Sequence, residues 1–111
     1  MLRMIRAVAS DFGVTTIFVW QPHPTYRYGL NQHPFIKGGF KAHGYARHGY
    51  AVFAKRLGDR PLGDDLLWCA GLHDRTPGPH YVDEVHDTPA FCDIFAKHLV
   101  QMMLRRGQFK L

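Results

Sequence analysis

The segment Tyr81-Val82-Asp83-Glu84-Val85-His86-Asp87-Thr88-Pro89 holds the residues best suited to chemistry. An aspartate three residues ahead of a histidine, in a loop that enters a helix, can fold its carboxylate back onto that histidine's ring. Asp83 then fixes the Nδ1–H tautomer of His86 and leaves Nε2 to take a proton from a nucleophile, the base-and-orienter half of a serine triad. The helix N-terminus disfavours imidazolium while Asp83 favours it, and such opposed effects hold a base near neutral pH. The other half of a triad is scarce. Ser10 is the only serine, Asn31 the only asparagine and Glu84 the only glutamate, so any serine nucleophile or asparagine oxyanion donor within these residues must be Ser10 or Asn31. Taken without its surroundings, the pair equally describes a helix-entry turn whose side chains satisfy local amides.

Composition bounds what can position that pair. The chain has 111 residues and 12.8 kDa, with 46% hydrophobic and 21% charged residues, which allows one domain at most and argues against a disordered tail. Lys and Arg outnumber Asp and Glu by 14 to 9, a formal charge of +5. The longest apolar run, Leu66 to Ala70, is far short of the roughly 20 residues a membrane-spanning helix needs. Met1 to Arg6 lacks the pattern of a secretory signal, and localisation stays open. Cys69 and Cys92 have neither metal spacing nor the number for a disulfide framework, and read as buried thiols.

Leu2, Ile5, Val8 and Phe12 recur at helical spacing and predict an amphipathic helix over residues 2–12 that stops at Gly13. Thr15 to Trp20 predicts a strand of a parallel sheet covered on both faces, ended by Pro22 and Pro24, with no preceding strand to pair with. From Gln21 to Lys41 the chain reads as a long loop packed down through Tyr26, Tyr28, Phe35 and Phe40. Ala46, Tyr50, Phe53 and Leu57 mark a second helix that runs to Gly58 as its C-terminal glycine. Residues 59–80 enclose Leu66 to Ala70, a strand or a short helix that periodicity does not resolve. The last helix is the clearest: Asp87 or Thr88 caps it, Pro89 opens it, and Phe91, Ile94, Phe95, Leu99 and Met102 form its apolar stripe. Arg105 and Arg106 complement its dipole and Gly107 stops it.

The run Tyr81 to His86, followed by Thr88-Pro89-Ala90 and an amphipathic helix containing Ala96, resembles the C-terminal Asp-x-x-His block of the SGNH (GDSL-type) hydrolases. Ile17-Phe18-Val19-Trp20-Gln21-Pro22 is similar to a late parallel strand and its exit in the same family. The resemblance implies an α/β chain, residues 1–111 forming the C-terminal part of a three-layer αβα (flavodoxin-like) esterase or lipase domain that uses no metal or cofactor. His86 would be the general base and Asp83 its orienter, acting on a carboxylic ester such as an acylated sugar or lipid. The family's Gly-Asp-Ser nucleophile block and its oxyanion Gly and Asn blocks are absent: Gly58-Asp59-Arg60 and Gly63-Asp64-Asp65 lack the serine, and Asn31 follows the late strand. Asp87 also departs from the family, which often has an aromatic or aliphatic residue there, and it offers a carboxylate that competes for the His86 ring. The implied chain is inactive alone and draws on an N-terminal portion to complete its fold and site.

Two other readings stand beside this one. The eight histidines invite a metal, but His43 and His48 are five apart, His73, Asp74 and His80 fall in a Pro/Gly-rich loop, and scattered surface histidines explain them better. His23 and His33 either line a cleft or lie exposed. The basic charge suggests a small non-catalytic domain that binds nucleic acid or another protein, yet the basic residues are dispersed and no RNA-binding or finger motif occurs. The helical apolar stripes read most simply as core, although missing strands would leave them exposed.

Overall fold

Phe18–Trp20 (β1) and Leu66–Trp68 (β2) pair as a two-stranded parallel sheet, with Phe18 opposite Leu66 and Trp20 opposite Trp68. The computed structural model describes residues 1–61 and 63–108, in which helices Leu2–Asp11 (α1), Ala46–Asp59 (α2) and Pro89–Arg105 (α3) accompany these strands. The chain is therefore mixed α/β, in the order α1, β1, α2, β2, α3. Short 3-10 turns lie at Leu30–Gln32, Lys41–His43 and Leu72–Arg75.

The pairing corrects the expectation that the first strand has no partner. Its neighbour follows it in sequence, and the Leu66 to Ala70 segment resolves as a strand followed by a turn. Bonds from Phe18 N to the Asp65 carbonyl (2.7 Å) and from Cys69 N to the Trp20 carbonyl (2.9 Å) extend the ladder. β1 is shorter than its β-branched run suggests, and Val19 is 40% exposed, so the strand is not covered on both faces.

None of the residues of α1 or α2 is buried, although both helices carry apolar stripes. A bidentate ion pair holds α1 instead. Arg6 Nε and Nη2 donate to the two Asp65 oxygens at 2.5 and 2.6 Å, and the guanidinium lies 5.1 Å from the centre of the Phe18 ring. Gly13, at φ +67°, stops the helix as expected. Helix α2 reaches the sheet through aromatic rings: Phe53 stacks on Trp20 at 3.9 Å between centroids, and Tyr50 meets the same ring edge-on at 5.7 Å. It continues through Gly58 to Asp59 and ends where Arg60 turns extended, so Gly58 is not its terminal glycine.

Helix α3 begins as its sequence indicates. Thr88, not Asp87, is the cap: its hydroxyl accepts from Phe91 N at 3.2 Å and donates to the Pro79 carbonyl at 2.9 Å. Phe91 is the buried member of the apolar stripe. Arg106 has a more specific role than complementing the dipole, since its Nη1 donates to the Asp64 and Leu66 carbonyls and ties the helix end to β2.

Buried apolar residues among those described include Leu66, Leu67, Cys69, Ala70, Tyr81 and Phe91, along β2 and up to the start of α3, with Pro22 and Pro24 from the loop after β1. Each fully buried side chain such as Leu67 or Phe91 stabilises by about 2 kcal/mol. Burial pushes the Cys69 thiol up to about 11, whereas Cys92 is exposed, against the expectation that both are buried. Among the described residues, no helix is long and apolar enough to cross a membrane.

Candidate functional site

Residues 82–86 form a small closed loop. Tyr81 and Asp87 pair as an antiparallel bridge, Val82 N donates to the His86 carbonyl at 2.8 Å, and Thr88 N donates to the His80 carbonyl at 2.7 Å. Within this loop Asp83 divides its two oxygens. Oδ1 accepts from the amides of Val85 and His86, both at 2.8 Å, and Oδ2 meets His86 Nδ1 at 2.6 Å. The two amides, and then the ring, hold the Asp83 carboxyl down at about 2, so it is ionised at neutral pH. An ionised carboxylate only accepts, which places the His86 proton on Nδ1. The His86 side chain is 76% exposed, and its Nε2 has no partner among the described residues.

The sequence thus located the pair and its internal geometry. Thr88-Pro89 fixes the start of α3, and that start fixes where the loop must turn back. Ser10 is exposed on α1 and Asn31 exposed in a 3-10 turn, and no contact brings either to Asp83 or His86 among the described residues. Asp87 does not compete for the ring. It is half buried, burial pushes its carboxyl up to about 6, and the His86 charge offsets part of that rise. Burial first and the Asp87 charge second raise the Tyr50 phenol to about 12.

Histidines supply the main surprise. His33, His73 and His80 are buried, which corrects the reading of the histidines as scattered surface residues and, for His33, the alternative of an exposed side chain. They pack with Tyr28, Tyr81 and Phe91 in one aromatic box: His33 stacks on Tyr81 at 5.2 Å, Tyr28 stands edge-on to His73, His80 and Tyr81, and Phe91 stands edge-on to His80 at 4.8 Å. Hydrogen bonds order the box. His73 Nε2 lies 2.8 Å from the Tyr26 carbonyl and its Nδ1 lies 2.9 Å from the Tyr81 hydroxyl, while His80 spans the Thr76 carbonyl and the Tyr28 hydroxyl. Burial lowers the pKa of His73, the nearby Tyr26 carbonyl and Asp74 opposing it. Only the density of rings between Tyr26 and Tyr81 signalled this cluster, since its members have no fixed period.

A cleft of about 840 Å³ opens between residues 27–34 and 73–80 and is not lined by Asp83 or His86. It shares Pro79 and His80 with the base of their loop. Among the described residues, no three His, Cys, Asp or Glu side chains gather as a metal site requires. In comparisons with known proteins, no family model, curated protein or solved structure matches the chain.

Proposed function

We propose that this chain supplies the general base and orienter of an SGNH-type serine ester hydrolase, within a three-layer αβα domain whose nucleophile and oxyanion donors lie outside residues 1–111. The observation that carries this is the Asp83–His86 pair: a carboxylate anchored by two amides, a 2.6 Å contact to Nδ1, and a solvent-facing Nε2. In such a site His86 takes the serine proton as the ester is attacked and returns it to the leaving alkoxide, while Asp83 stabilises the imidazolium that forms in between. Without a serine and oxyanion donors beside Nε2, the pair has no tetrahedral intermediate to serve. The substrate is a carboxylic ester, an acylated sugar or lipid fitting equally.

Two features of the fold support the larger architecture. Among the described residues the sheet has two parallel strands, whereas parallel sheets are normally covered on both faces, and β1 is paired along one edge. The apolar face of α1 beside it, with Ile5, Val8 and Phe12, lies open as well.

A joined chain tests the proposal. Residues 1–111 fused behind the nucleophile and oxyanion blocks of an SGNH hydrolase should cleave p-nitrophenyl acetate, with His86→Ala lowering kcat by about 10²–10⁴-fold. Residues 1–111 alone should show no His86-dependent cleavage. A folded fusion that is inert, or one that His86→Ala leaves unchanged, rejects the assignment.

A further inference from the structure

We infer that Tyr81 and His73 are positioning residues for the Asp83–His86 pair, clamping the base of its loop to the body of the protein through a buried, one-directional hydrogen-bond relay. What the pair is positioned for rests on the hydrolase proposal above; the clamp itself does not.

The loop cannot orient itself. Every hydrogen bond of the Asp83 side chain and the His86 ring stays inside residues 83–86, and both side chains are more than half exposed. Their direction relative to the rest of the molecule is therefore set where the loop meets the body, at the Tyr81–Asp87 bridge, at Thr88 and where His33 faces the Glu84 backbone. Thr88 roots one strand of the loop on the Pro79 and His80 carbonyls. Tyr81 roots the other. Its side chain is 1% exposed, His33 stacks on its face, and its hydroxyl reaches His73, itself 2% exposed.

The direction of the relay follows from its far end. The Tyr26 carbonyl can only accept, so His73 Nε2 carries the proton. With one proton on a neutral ring, Nδ1 is an acceptor, and the Tyr81 hydroxyl donates to it. Burial lowers the pKa of the ring and so favours its neutral form, with the Tyr26 carbonyl and Asp74 opposing. Tyr81 is thereby fixed in both ring plane and hydroxyl direction by groups from residues 26, 33 and 73, none of which touches Asp83 or His86 through a hydrogen bond. Removing the hydroxyl leaves a buried Nδ1 lone pair unmet and frees the root of the loop to shift, which loosens a geometry that depends on tenths of an ångström.

Nuclear magnetic resonance of the imidazoles in the unliganded chain tests the clamp without any turnover. Tyr81→Phe should weaken the low-field Nδ1–H signal of His86 as the Asp83 contact loosens. Tyr28→Phe, which removes a hydroxyl from the same box at the His80 ring and keeps the Tyr81–His73 bond, should leave that signal unchanged. A folded Tyr81→Phe chain with the wild-type His86 Nδ1–H signal overturns the inference. If Tyr81→Phe does not fold, the ¹⁵N shifts of His73 in the unaltered chain decide: the Nε2–H tautomer supports the relay, and the Nδ1–H tautomer overturns it. An inert fusion alongside a weakened His86 Nδ1–H signal in Tyr81→Phe would reject the hydrolase proposal while leaving the clamp in place.

Discussion

Asp83, His86 and Asp87 lie within five residues, yet their surroundings push the two carboxyls in opposite directions. Asp83 is held down at about 2 by amides and imidazole, and Asp87 is pushed up to about 6 by burial. The signs for stability are opposite as well. Asp83 is ionised in the folded chain at pH values where it would be protonated in the unfolded one, so its support is fully present above about pH 4 and disappears as pH falls through 2. Asp87 binds its proton more tightly when folded, so its presence costs stability at neutral pH, and that cost fades as pH falls through 6 towards 4. Asp87→Asn should therefore raise stability to urea at pH 7 by the order of 1 kcal/mol, allowing for solvent screening at a half-exposed site, and by almost nothing at pH 4. Asp83→Asn should do the reverse, destabilising at pH 7. Equal effects of Asp87→Asn at the two pH values would show that its carboxyl is not perturbed in the folded state.

Thr88 carries a local decision on which both α3 and the site depend. Its hydroxyl caps the helix and also bonds Pro79, so Thr88→Ala should cost about 1–2 kcal/mol in urea unfolding, whereas Thr88→Ser should recover most of it. A loss no larger than a few tenths would mean that water replaces both bonds. Such local signals are what the sequence made legible: Thr88-Pro89 and Gly107 bound α3, Gly13 ends α1, and Asp83 with His86 needs only a three-residue span. The illegible parts depend on distant partners. Leu66 to Trp68 is a strand because Phe18 to Trp20 lies beside it, and no property of that short run distinguishes the choice. Gly58 stays helical because the last turn of α2 is completed beyond it. His73 and His80 sit in a Pro/Gly-rich stretch typical of surface loops, and only the Tyr26 carbonyl, Tyr28 and Tyr81 make their burial affordable in hydrogen-bond terms.

At the scale of the molecule, much apolar surface remains uncovered. The accessible area is 7924 Å², against about 6,300 Å² for a folded monomer of this mass, and the radius of gyration is 15.7 Å, against about 13 Å for a domain of this length. Helix α1 accounts for part of the excess: Val8 is 55% and Phe12 75% exposed on one face with Met4 and Val14. The isolated chain should self-associate through that face at micromolar concentration or above, and Val8→Glu combined with Phe12→Glu should return it to monomer by sedimentation with little change in urea midpoint. A double variant that sediments like the parent would place the contact elsewhere. The parallel sheet has one more consequence, for assembly in time. Phe18 and Leu66 are 48 positions apart, so the first ladder bond closes a loop whose entropic cost is about 3 kcal/mol. Each helix can form from its neighbours in sequence, whereas the sheet waits on that closure, and the pace of folding is set by how soon two distant three-residue segments meet.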